Sequence, residues 1–471
     1  MIMLKSIINK IDRLNTKKPM LNAALAIMTL LAIFSLKTAL TMQTINWYAP
    51  TIAGCCCFTA VLAFLMIRKK SLKLTRSGLF ILAAEIIVGL SFGLNGLLLR
   101  VKAYCVIGVV FVFVLPVIQY ALATNDQKKI AERFCMTLVI SYILLLIVNM
   151  FKGPILVKFQ YGAIMGNSNL LGYYLAVLIP SLTYLLLKKD LTFVKRAVCW
   201  GLLVSAVAML VFTSSRTSVL ALVFSMGFFL ITYYFGHEKS KKKHKFNRNH
   251  VIIIAVITVA VPLILFFMLS YVRKNIVIYQ RKASLRNAAS NSSLSDSELD
   301  EQEKELEEIE DAVTEYSLDY YIKGLDGEAE DSFTSGRVAI WKDFVKNLSI
   351  KGHAVEHREI IEATRHYDHA KAHNVYIQVA YNAGLGAGAA YLVIVVYIGV
   401  NALIWFVCII KKKKKFDPEL LLSYCYFISF AMISLTSDGY MIYNYFPTTL
   451  FWFSANKYMF TDKQDTTEEK Q

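Results

Sequence analysis

No cysteine lies in the one long polar stretch of this chain, residues 272–372, and nowhere do two cysteines take the C-x-x-C spacing. The eight cysteines, Cys55, Cys56, Cys57, Cys105, Cys135, Cys199, Cys408 and Cys425, all lie in or at the edges of apolar runs. That excludes a disulfide-stapled external module and a cysteine zinc ribbon, and leaves small apolar core residues. Charge is scarce as well. Only 18% of the 471 residues are Asp, Glu, Lys or Arg, and 56% are hydrophobic. The mean hydropathy is +0.48. A soluble domain of this size could not cover its surface with so few polar groups. Acid is the scarcer sign, with 34 Asp and Glu against 51 Lys and Arg and a formal net charge of +17. Such an excess can mark a nucleic-acid binder. Here the basic residues come in short clusters between apolar runs, and no nucleic-acid module pattern is present, so nucleic acid is not expected as a partner.

What the chain does have is a series of apolar runs near the spanning length of about 20 residues. They cover approximately 21–41, 49–67, 78–99, 103–123, 134–151, 170–187, 194–213, 217–235, 251–271, 386–410, 418–436 and 440–458. The expected fold is all-α: a polytopic membrane protein of about 12 transmembrane helices with one large loop. A membrane β-barrel would show short alternating segments instead. Before the first span, Lys5, Lys10, Arg13, Lys17 and Lys18 alternate with Ile7, Ile8, Ile11 and Leu14, as in an amphipathic lead-in. The first run is too long for a signal-peptide core and is read as a span.

With the N-terminus inside, the cytoplasmic loops are 68–76, 125–133, 188–196, 236–250 and 411–416, which carry 5, 3, 4, 6 and 5 Lys and Arg. The short loops on the other side carry far fewer, which is the positive-inside pattern. The expected organisation is then helices one to nine over 1–271, an extracytoplasmic loop over 272–372, helices ten to twelve over 373–460 and a cytoplasmic tail over 461–471. Asn167, Arg216, His373 and Asp438 fall on the same outer face as the long loop.

That loop has two halves. Residues 296–311 hold ten acids and one lysine and read as a solvated helix. The stretch from Ser335 to Gly388 is denser in chemistry, with five of the eight histidines between His353 and His373. Its opening, SGRVAIWKDFVKNL, puts Val338, Trp341, Val345 and Leu348 on one helix face with Ser335 as the N-cap. Arg337 sits in the first turn, where the helix dipole disfavours a cation; it reads either as a solvated arginine or as the partner of an anionic ligand. His366, His369 and His373 stand at offsets that one helical face can align, and with His353 and His357 the spacing also permits zinc. The neighbours Arg358, Arg365 and Lys371 would repel a cation, so no metal is expected. Glu85, inside the third span beside Gly89 and Gly93, is read as a packing residue.

Four motifs occur in order: GNSNLLGYYLAVLIPSL (166–182), FTSSRTSVLALV (212–223), SGRVAIWKD (335–343) and HNVYIQVAYNAGLGAG (373–388). Together they resemble the O-antigen ligase and polymerase superfamily of bacterial membrane glycosyltransferases of the GT-C type. The resemblance covers about residues 160–410. Lys351-Gly352-His353-Ala354 departs from the Gly-x-Gly turn that members often carry, and the acidic segment matches nothing.

The resemblance implies a donor oligosaccharide linked to a polyprenyl pyrophosphate, handled at the outer face without metal or other cofactor. On it, Arg216 and Arg337 bind the pyrophosphate, as the planar guanidinium suits phosphate oxygens. His373 is the catalytic base for the acceptor hydroxyl. Asn167, Asn169, Asn374, His369 and Asp438 are further candidates for substrate contact. The expected function is polymerisation of lipid-linked repeat units into a capsule-type surface polysaccharide. The alternatives are a ligase that hands the glycan to another acceptor, or a flippase for the same lipid. Membrane lipid and other polysaccharide-assembly proteins are the expected partners. A flippase would not need a hundred-residue outer loop rich in His and Arg. A sensor would need a cytoplasmic signalling segment.

Overall fold

The structure, a computed structural model, describes residues 72–152, 156–157, 160–161, 168–188, 191–213, 215–238, 248–264, 337–353, 371–437 and 459–462, with isolated positions in 61–67 and 448–455. The expected spans 21–41 and 49–67, the acidic segment 296–311, and Asn167, Ser335, His357, His366, His369 and Asp438 lie outside these residues, apart from isolated positions in 61–67.

The described chain is all-α apart from two small antiparallel ladders. Its long helices are α1 (Arg76–Leu98), α2 (Lys102–Ala123), α3 (Gln127–Lys152), α4 (Ser168–Leu186), α5 (Phe193–Thr213) and α6 (Arg216–Glu238). A shorter α7 begins at Arg248. Then come α8 (Arg337–Lys346), α9 (Val375–Ala383), α10 (Leu385–Ile410) and α11 (Pro418–Ser434). Seven helices are long and apolar enough to cross a membrane among the described residues, α1 to α6 and α10. Their positions match the apolar runs at 78–99, 103–123, 134–151, 170–187, 194–213, 217–235 and 386–410. The protein is a polytopic helical membrane protein.

Local chemistry sets the helix ends. Thr75 caps α1 by accepting from Gly78 N at 2.8 Å. Asp417 caps α11 by accepting from Leu420 N at 2.8 Å, with Pro418 in the first turn. Both are standard solutions for amides with no intrahelical partner. Helix α4 is apolar on every side and buried along almost its whole length, so it is the central post against which α3, α5, α6 and α11 pack. Two of its polar groups find partners inside the bundle: Tyr174 donates to Leu138 O at 2.6 Å, and Ser181 Oγ lies 2.8 Å from Tyr426 Oη. The outer helices turn Leu97, Leu98, Phe113, Met150, Phe212, Val396 and Leu403 outward, as lipid contact allows.

Interhelical contacts sort the loops into two ends of the bundle. At one end, strands β1 (Leu72–Leu74) and β4 (Phe460–Asp462) pair antiparallel. Lys188 pairs with Glu132, and Tyr184 donates to Glu419 at 2.9 Å. Phe416 packs on Tyr233 and over Gly236. The exposed run Lys411–Lys415 lies at this end. The other ladder, β2 (Leu156–Val157) with β3 (Gln160–Tyr161), belongs to the loop after α3. At the opposite end, Asn95 donates to Asn382 O, Tyr104 to His353 O and Asn374 to Leu435 O.

The junction of α9 and α10 is built around a glycine. Gly384 has φ of +93°, and a Cβ there would run into Ile350 O, while Leu385 N donates to Ser349 O at 3.0 Å. Only glycine takes both that dihedral and that approach. The break lets α9 lie over the end of the bundle while α10 crosses it.

Candidate active site

Helix α9 opens at Asn374. Its Oδ1 accepts from Tyr376 N and Ile377 N at 3.0 and 3.2 Å, and its Nδ2 donates to Leu435 O at 3.3 Å. The side chain is buried and serves as the N-cap. Asn374 therefore joins α9 to the end of α11. Directly before it, His373 is half-buried with φ of +48°, in the left-handed region. Such a dihedral is uncommon outside glycine, though histidine, asparagine and aspartate take it more readily than other residues, and it costs about 1–2 kcal/mol. The neighbouring Ala372 is held on both sides: Trp341 Nε1 donates to its carbonyl at 2.9 Å, and its N–H donates to Gln378 Oε1 at 2.7 Å.

Helix α8 is pinned to this turn. Ile340, Phe344, Ala372 and Tyr381 form a small separate core, with Leu348 and Ile377 packed on it. The buried face of α8 therefore runs through Ile340 and Phe344, while Val345 is exposed. Of the face expected through Val338, Trp341, Val345 and Leu348, Leu348 does pack on this core, but within the helix the buried line is shifted by one position to Ile340 and Phe344, and Trp341 instead reaches sideways to Ala372. The sequence pattern alone cannot tell an apolar face that meets a neighbour from one that meets lipid. Arg337 is the first residue of α8, one turn before Trp341 and on the same side, and it is half-exposed.

The segment after α8 is tied down as well. His353 N donates to Tyr381 O at 2.9 Å, its ring stacks on Tyr381 at 4.4 Å between centroids, and its Nε2 lies 2.7 Å from Asn347 O. Gly352, at φ of +76°, passes over Asn382 where a Cβ would not fit. One glycine supplies the turn for which the family often carries two.

The run TSSRT (213–217) reads in the sequence as a five-residue loop between two spans, but Arg216 is the first residue of α6, half-buried, with only Ser215 and position 214 between α5 and α6. Beside it, Thr436 Oγ1 donates to Thr217 Oγ1 at 2.9 Å. Since Asn374 bonds Leu435, two adjacent residues at the end of α11 touch both the His373 turn and the start of α6. Helix α4 begins at the same place: Gly172 packs directly on Ser215 and Ser218, whose hydroxyls are 2.7 Å apart. Asn169, in the first turn of α4, is half-buried there.

The structure thus gathers Arg216, His373, Asn374, Asn169 and Arg337 at one end of the bundle. Asn167 and Asp438 adjoin described residues of that end, Ser168 and Ser437. The N-termini of α4, α6 and α9 converge there, each the positive end of a helix dipole. With two guanidiniums added, the place favours an anion. Sequence reasoning missed Trp341, Gln378 and the Thr217–Thr436 link. Gln378 and Asn382 left a trace, as two amides one turn apart in an otherwise apolar helix.

Comparison with protein families finds one match: residues 201–392 fit the model of a family described as O-antigen ligase. Three of the four motifs fall within that range, and the Asn-containing segment 166–182 lies before it. The resemblance read from the motifs is borne out over this domain. No curated protein and no solved structure matches the chain.

Proposed function

We infer from its O-antigen ligase domain that this chain is a membrane glycosyltransferase acting on lipid-linked oligosaccharide, and we propose that it polymerises repeat units carried on a polyprenyl pyrophosphate. The observation that carries the reading is the convergence of Arg216 and His373 through the end of α11. Arg216 and Arg337 hold the donor pyrophosphate at helix N-termini, where the guanidinium charge and the positive end of the dipole act together. His373, as neutral imidazole, takes the proton from an acceptor sugar hydroxyl. The hydroxyl oxygen bonds to the anomeric carbon, the bond from that carbon to the phosphate oxygen breaks, and its electron pair leaves with the polyprenyl pyrophosphate. The arginines stabilise that leaving charge.

A transport path would need a succession of ionisable groups through the bundle. Among the described residues, Glu85 is the fully buried one of charged type, and Gln119 Nε2 donates to it at 2.7 Å. That arrangement suits packing of α1 on α2.

The test is chain extension in vitro from a purified lipid-linked repeat unit, alongside binding of the same donor. His373→Ala should keep donor binding and lose about 10²–10⁴-fold in turnover, as expected for a lost general base. Wild-type turnover by that variant would remove His373 from the mechanism. A ladder of products marks a polymerase, and a single transfer to a different acceptor marks a ligase.

A further inference from the structure

We propose that Trp341 and Gln378 are positioning residues that grip the backbone of Ala372 from both sides and so hold His373 in the left-handed turn from which its imidazole works. The proposal rests on the role given to His373 above.

The turn Lys371-Ala372-His373 contains no glycine, and φ of +48° is uncommon for a residue with a side chain, although histidine enters this region more readily than most. Tertiary contacts select it here. Ala372 is fully buried, and both of its backbone polar groups meet side chains from different helices. Trp341 of α8 donates to the carbonyl. Gln378 of α9 accepts from the amide. Each of these two side chains has an anchored base or a second partner. Trp341 is half-buried on a helix held by Ile340 and Phe344, which pack against Tyr381, and Gln378 is buried and donates to Asn382 Oδ1 at 2.9 Å. On the far side of His373, Asn374 is fixed by its cap and by Leu435. His373 is therefore the half-exposed residue between two buried, anchored neighbours. Its backbone direction is set by α8, which belongs to the outer half of the domain, and by α9, which leads into the membrane. A base must be held to within a fraction of an ångström of its proton, and a misplacement of about 1 Å can cost 100-fold.

The test uses the full chain in detergent or nanodiscs, extending a purified lipid-linked repeat unit. Trp341→Phe keeps the ring and removes the N–H. Gln378→Leu removes the acceptor, and Gln378→Glu restores an oxygen for the Ala372 amide. Trp341→Phe and Gln378→Leu should each lower kcat about tenfold or more with the donor KM unchanged, and Gln378→Glu should regain most of the loss. In a His373→Ala background, the same two changes should lower the residual rate no further. Thr75→Ala, which removes the N-cap of α1 at the opposite end of the bundle, should lower the melting temperature and leave kcat near wild type. Equal losses with and without His373, or wild-type kcat in Trp341→Phe, would overturn the proposal. If Trp341→Phe does not accumulate, Gln378→Leu against Gln378→Glu makes the comparison from the other side of Ala372. A silent Trp341→Phe beside a dead His373→Ala removes the grip alone, whereas a fully active His373→Ala removes the base and the grip with it.

Discussion

A guanidinium in the first turn of a helix opposes the helix dipole. Among the described helices α1, α6, α7 and α8 each begin with one, Arg76, Arg216, Arg248 and Arg337, so the oddity speaks for an anion only where it recurs at the His373 end of the bundle, at Arg216 and Arg337. The oddity was legible at Arg337, because a helix could be drawn from SGRVAIWKDF. It was hidden at Arg216, because TSSRT reads as a loop and only the structure shows the helix starting at the arginine. The two chemistries of arginine separate on substitution. Arg216→Lys keeps a charge but loses the planar fork, so donor binding should weaken by about tenfold, roughly one bidentate contact's worth. Arg216→Ala should lose donor binding almost entirely while the protein still inserts. Equilibrium binding of the lipid-linked donor checks both, and equal affinity for the lysine and alanine variants would mean that the guanidinium does not touch pyrophosphate.

At the scale of elements, the runs that became α1 to α6 and α10 were legible because length and hydropathy suffice to mark a span. What could not be read was the break at Gly384, since YNAGLGAG looks like a helix start with glycines to spare. The structure singles out one of them. Gly386 has open space around it, whereas Gly384 carries φ of +93° against Ile350 O. Gly384→Ala should therefore destabilise the protein by about 1–3 kcal/mol, the range for a strained non-glycine backbone, and Gly386→Ala should be nearly neutral. Thermal unfolding of the purified variants in one detergent measures the difference. The contacts of Trp341, Gln378 and Thr436 were illegible for another reason: each joins segments that periodicity treats separately. Thr436→Val should cost about 1 kcal/mol, one hydrogen bond, and should do so only while Thr217 is present. A double-mutant cycle with Thr217→Val checks the coupling.

For the whole molecule, everything proposed depends on which end of the bundle faces outward. The two ends are distinct: one carries the exposed lysines 411–415, the β1–β4 ladder and the Lys188–Glu132 pair, and the other carries Arg216, His373 and α8. Basic clusters stay on the cytoplasmic side during insertion, so the lysine end should be inside and the arginine–histidine end outside. Lys351 and Lys414 are both exposed and sit at opposite ends, which makes them matched reporters. Cysteine introduced as Lys351→Cys should react with a membrane-impermeant thiol reagent in intact cells. Lys414→Cys should react only after permeabilisation. A background with Cys55, Cys56 and Cys57 replaced by alanine sets the baseline: the five described cysteines are buried or half-buried within helices, so that background should label weakly in both conditions. The reverse pattern would put Arg216 and His373 in the cytoplasm, away from any repeat unit already carried across the membrane. The pyrophosphate and base roles would then both fall, even with every contact between the helices unchanged.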